Sequence, residues 1–106
     1  GRGYAIYTAI VAQAGTAAPT ATVLENSLGG TVTLARSSAG VYTFTLTGVF
    51  TTAKTFINAT VDAGATGVLV RVAHTSANVV TITTATEAGV AADLVGNLNL
   101  EIRVYA

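Results

Sequence analysis

Cysteine, methionine and tryptophan are all missing from this chain, and proline occurs once. Only five basic and five acidic side chains stand among its 106 residues. Without cysteine there are no disulfides and no thiolate metal sites, so no redox compartment is marked. A formal net charge of zero leaves no basic field for nucleic acid and no polybasic segment for anionic lipid. No apolar run approaches the roughly 20 residues of a membrane-spanning helix. The most apolar N-terminal stretch, Tyr4 to Ala14, is interrupted by Thr8 and Gln13. It lacks the basic n-region and leucine-rich block of a secretory signal. The absence of any Met leads to the expectation that the chain begins after a removal event.

What is present is apolar and small. Half of the chain, 51%, is hydrophobic and only 9% is charged, whereas about a quarter of a typical soluble domain is charged. A domain of this size leaves much of its surface facing out. Ten charges cannot cover that surface, so Thr, Ala, Gly and exposed apolar groups must. Such a surface suits burial against copies of itself or against a larger assembly.

Thr and Val dominate over Lys, Glu and Gln, which favours strand over helix throughout. The clearest strand is the last: Leu98, Leu100, Ile102 and Val104 alternate with Asn99, Glu101, Arg103 and Tyr105, a period of two. Tyr42, Phe44 and Leu46 alternate with threonines after a turn at Ser37-Ser38-Ala39-Gly40 and a shorter strand, Val32 to Arg36. Strands are also expected over Tyr4 to Gln13, Thr20 to Leu24, Thr55 to Val61, Val68 to His74 and Val79 to Thr84. The last two form a hairpin around Thr75-Ser76-Ala77-Asn78. Residues 62–67, Asp-Ala-Gly-Ala-Thr-Gly, read as a turn, and Thr86 to Leu94 as a loop with at most one helical turn. Eight short strands without a crossover helix predict a single all-β domain over 1–106, an antiparallel β-sandwich of jelly-roll-like arrangement. Immunoglobulin-like packing is the alternative, without its Cys and Trp markers.

Catalytic and metal chemistry find no support. The one histidine, His74, falls at a strand end, and a triad would need a serine and a carboxylate beside it. Ser27, Ser37, Ser38 and Ser76 sit in turns. The carboxylates Glu25, Asp62, Glu87, Asp93 and Glu101 occupy ordinary solvated contexts. Neither Asp62 nor Asp93 with Asn97 and Asn99 makes a dense calcium loop. No catalytic, cofactor-binding or metal residue is therefore assigned, and no cofactor is expected. Among the aromatics, Tyr42, Phe44 and Phe56 read as core, and Phe50 is the main aromatic in a loop. Tyr4, Tyr7 and Tyr105 lie near the chain ends, where a ring caps the core or anchors a neighbour. Four of the five cations are Arg, the cation favoured at interfaces. Strand-borne Arg71 and Arg103 are placed to meet Glu25 or Glu101 across a subunit boundary, with solvated edge charges as the other reading. The candidate association residues are thus Tyr4, Tyr7, Arg71, Glu101, Arg103 and Tyr105.

Certain segments carry a resemblance. They are Tyr4 to Gln13 (YAIYTAIVAQ), Ala21 to Gly30 (ATVLENSLGG), Arg36 to Tyr42 (RSSAGVY), Lys54-Thr55-Phe56, and Leu100 to Tyr105 (LEIRVY). In this order they resemble small β-sandwich proteins among tailed-phage and prophage structural genes, of the head-fibre or capsid-decoration type. The resemblance spans nearly the whole chain and implies a non-enzymatic, trimeric component of the virion surface, attached to the particle by its N-terminal end. The expected partners are further copies of the chain and other virion proteins, at a virion surface or in an extracellular setting. An open filament competes with the closed trimer. A carbohydrate- or cell-surface-binding module, with a host glycan as partner, is the third reading, and its mark would be exposed aromatic side chains in loops.

Overall fold

The computed structural model describes residues 3–61, 69–86, 88–90, 92 and 96–106. Eight strands follow in chain order: β1 Tyr4–Gln13, β2 Thr20–Asn26, β3 Thr33–Ser38, β4 Val41–Thr45, β5 Thr55–Val61, β6 Leu69–His74, β7 Val79–Ala85 and β8 Gly96–Tyr105. The described residues include no helix. All pairings are antiparallel, in two four-stranded sheets of order β2-β1-β8-β5 and β3-β4-β7-β6. Three hairpins, β1–β2, β3–β4 and β6–β7, stay within a sheet, while the other connections pass between sheets.

The alternation seen in the sequence is the alternation of the core. From the first sheet, Tyr7, Ala9, Val11, Leu98, Leu100 and Ile102 are buried; from the second, Tyr42, Phe44, Val80 and Ile82, and all ten belong to one cluster. Each of the Val, Leu, Ile and Phe side chains among them contributes about 1.5–3 kcal/mol by leaving water. Replacing Leu100 by Ala is expected to cost about 2–5 kcal/mol, read as a lower midpoint in urea unfolding.

Polar groups inside this core are satisfied. Thr84, almost fully buried, donates its hydroxyl to the Ala92 carbonyl at 2.6 Å. Gln13 donates Nε2 to the carbonyls of Gly15 (2.8 Å) and Ala17 (3.1 Å), stapling the turn that leads to β2. Burial pushes the Tyr7 phenol above its ordinary pKa, since the charged form is poorly solvated there.

The two sheets approach each other most closely at β5 and β6. The opposite flank carries the edge strands β2 and β3. Edge strand β6 therefore lies on one side of the molecule and edge strand β2 on the other. In β2 the register slips: Thr8 stands opposite Glu25 but Ala9 opposite Val23, which leaves Leu24 as the extra residue of a bulge. Bulges are a common device on sheet edges.

Candidate association surface

Four of the six residues singled out by sequence come together on the outer face of the first sheet. Tyr4 pairs with Tyr105 across β1 and β8, and Arg103 stands between Ile6 of β1 and Phe56 of β5. The Tyr4 and Tyr105 rings lie 5.0 Å apart, tilted by 47°. The Arg103 guanidinium sits 5.0 Å from the Tyr4 ring centre and 6.0 Å from that of Phe56, within the range of cation–π attraction. Arg103 also donates Nε to Glu101 Oε2 at 3.0 Å, with Nη2 at 2.9 Å from the same oxygen. Hydrogen bonds to Tyr105 and to Glu101 hold its pKa above the usual arginine range. The cluster is a fixed, half-exposed plate in which one cation is braced by two rings and a carboxylate.

Three expectations are corrected here. The Glu101–Arg103 pair forms within one strand of one chain, because residues two apart on a strand share a face; it does not need a second subunit. Tyr7 points the other way from Tyr4, is 1% exposed and belongs to the core, so its ring serves the fold. Phe56 is 52% exposed; it shares the outer face with Asn58 and Thr60, while Ile57, Ala59 and Val61 pack inward. The reverse holds for Phe50, a loop residue that is fully buried.

Arg71 belongs elsewhere. It lies on β6, opposite Thr83, on the outer face of the second sheet. There it lines a cavity of about 170 Å³ with Val41, Leu69, Thr83, Ala85 and Gly89. It has no side-chain partner among the described residues. A second, shallower depression of about 310 Å³ crosses the outer face of the first sheet, lined by Thr8, Ile10, Leu24, Asn58, Thr60, Asn99 and Glu101.

His74 is half-buried, and its Nε2 donates to the Phe50 carbonyl at 2.5 Å. That bond anchors a loop. Among the described residues no three His, Asp or Glu side chains gather as a metal would require. Asp62, Glu87, Asp93 and the turn at 62–67 lie outside the described residues.

Comparison with protein-family models, with curated proteins and with solved structures finds no match to this chain. Its surface chemistry is then the only guide to function. The large apolar side chains left exposed are Ile10, Val23, Leu24, Phe56, Leu69, Val72, Val90 and Tyr105. Five of these eight sit on edge strands, two each on β2 and β6 with Phe56 on β5, and Val90 lies in the loop beside the cavity-lining Gly89. Sequence reasoning missed the β2 pair because Val23 and Leu24 read as ordinary strand interior. The signal was their position in a strand that ends one sheet.

Proposed function

We propose that this chain is a non-catalytic structural protein that associates with copies of itself, as a capsid-decoration or head-fibre component of a virion surface. A jelly-roll-like sandwich supplies a rigid unit, and symmetric assembly supplies the function. The observation that carries this reading is the exposure of Val23 and Leu24 at one flank and Leu69 and Val72 at the other, on a molecule with no net charge. Apolar edge strands of this kind are templates for association, and low net charge offers little repulsion against it. Two different patches on opposite flanks favour a head-to-tail contact. Such a contact closes into a ring, here a trimer, or runs on as a filament. The resemblance to phage surface proteins agrees with the closed form.

Mass in solution by light scattering across a hundredfold dilution tests the reading. A trimer that persists supports it, open-ended growth moves the chain to the filament class, and a monomer throughout overturns it. Replacing Arg103 by Ala frees Tyr4 and Phe56 from their shared cation. That change is expected to lower association more than melting temperature, and unchanged association with a lowered melting point would remove the cluster from the interface.

A carbohydrate-binding role is the second reading, and one observation favours it. The depression across the first sheet offers Asn58, Asn99, Thr8 and Thr60 beside the exposed ring of Phe56, hydrogen-bonding and stacking groups suited to a neutral sugar. A glycan screen separates the two readings.

A further inference from the structure

We infer that the depression on the outer face of the first sheet binds a neutral sugar ring, whose hydroxyls are held by Glu101, Asn58 and Asn99. This rests on the carbohydrate-binding reading above and names its sugar class and the residues that select it. The register sets the site in two rows across the sheet. Thr8, Glu101 and Asn58 stand side by side in one, and Ile10, Asn99 and Thr60 in the next. Ile10 and Leu24 supply an apolar wall on the β1–β2 side. The volume of about 310 Å³ falls at the lower end of the range for small-molecule sites, about 300–1,000 Å³.

Unspent polar groups in an unusual place mark this face. Asparagine is depleted in strands and favoured in turns, where its amide bonds to nearby backbone. Asn26 and Asn78 follow that rule: Asn26 bonds the Leu28 amide and the Gly30 carbonyl, and Asn78 the Gly48 amide. Asn58 and Asn99 break it. Both lie within strands, and neither makes a side-chain hydrogen bond among the described residues; the same holds for Thr8 and Thr60. The second sheet shows what an outer face otherwise uses. Its central strands turn Thr43, Thr45, Thr81 and Thr83 outward, residues that favour strand. Asn58 and Asn99 thus serve neither strand nor turn. Glu101 adds a fixed acceptor: Arg103 holds it by Oε2 through both Nε and Nη2, and Oε1 takes no bond among the described residues.

These groups fit a sugar. Amides and hydroxyls both donate and accept, and a carboxylate oxygen accepts. A pyranose presents adjacent hydroxyls that do both, on a ring whose carbon face suits the wall of Ile10 and Leu24. Glu101 is the one charged residue among those lining the depression. A uronic or sialic acid would set a second carboxylate against it, so the site selects a neutral sugar.

Saturation-transfer NMR on the full chain tests this, because it reads the sugar's signals at any size of assembly. The probes are methyl mannoside, methyl galactoside, methyl glucoside and N-acetylglucosamine, set against glucuronic acid and N-acetylneuraminic acid. At least one neutral sugar is expected to bind, and the acids more weakly. Glu101→Gln keeps the shape but removes the charge-assisted acceptor, and should weaken binding about tenfold. Asn99→Ala should weaken it about fivefold, while Thr43→Ala on the other sheet should leave it unchanged. A neutral sugar that binds but ignores both Glu101→Gln and Asn99→Ala overturns this site and leaves a carbohydrate-binding role standing. Tighter binding of the acids overturns the sugar class. No binding by any probe removes the site and the carbohydrate reading together.

Discussion

Replacing Gly40 by Ala is expected to destabilise the protein by roughly 3–5 kcal/mol, although the substitution adds a single methyl group. Gly40 ends the β3–β4 turn with φ at 70°, in the left-handed region. That alone costs a non-glycine residue about 1 kcal/mol. The larger part comes from the surroundings. A Cβ built at this position would collide with the Thr84 carbonyl oxygen and lie 2.7 and 2.8 Å from the Ala92 oxygen and nitrogen. All three are backbone atoms, so no side chain can swing aside. The Gly40 carbonyl accepts from the Thr84 amide at 2.8 Å, so moving the turn away would break that bond. Gly29 is the control. Its φ is 94°, but an added Cβ meets nothing within 4 Å. Gly29→Ala should therefore show only the conformational term, about 1 kcal/mol. Urea unfolding of both variants reads the difference, and equal losses would show that crowding at Gly40 is relieved.

Gly40 also shows where sequence reading stops. Its place in a Ser-Ser-Ala-Gly turn is legible, because a turn is a local pattern. What it packs against is not, since Thr84 and Ala92 come from a distant part of the chain. The strands divide in the same way. The alternation from Leu98 to Tyr105 identifies β8, and Tyr4 to Gln13 and Thr55 to Val61 match β1 and β5 in full. Other strand ends shift by one or two residues, as fraying ends do. The order of strands within each sheet is written in no local pattern. The candidate site was legible in part for the same reason. Glu101, Arg103 and Tyr105 share a face by their spacing alone. Tyr4 joins them only through the β1–β8 register, and Phe56 through the β5–β8 register. Phe56 carried a usable signal: Asn58 and Thr60 follow at steps of two, which marks its side of the strand as the solvent side. Leu24 carried none, because a bulge depends on the partner strand as well as its own residues.

The opposite case, Phe50, supplies the other large expected effect. Phe50 lies between β4 and β5, in a stretch whose glycine and threonines mark it as surface loop, yet its ring is fully buried in the common core. Backbone bonds bring it there. Its amide donates to the Ala77 carbonyl at 2.9 Å, and its own carbonyl accepts from His74 Nε2. The same loop is tied again where Leu46 donates to the Asn78 carbonyl and Gly48 to Asn78 Oδ1. The β6–β7 turn thus clamps the loop, and the clamp drives the ring into the open end between the sheets. Phe50→Ala is expected to cost about 3–5 kcal/mol, the range for removing a buried aromatic ring. Phe50→Leu, which refills most of the space, should cost less than about 1.5 kcal/mol. Phe56→Ala removes the same ring from an exposed face and should change stability by no more than about 0.5 kcal/mol. Chemical unfolding of the three variants separates these outcomes. Equal losses at Phe50 and Phe56 would contradict the placement of both rings. A small loss at Phe50 with a large one at Phe56 would restore the order expected from sequence.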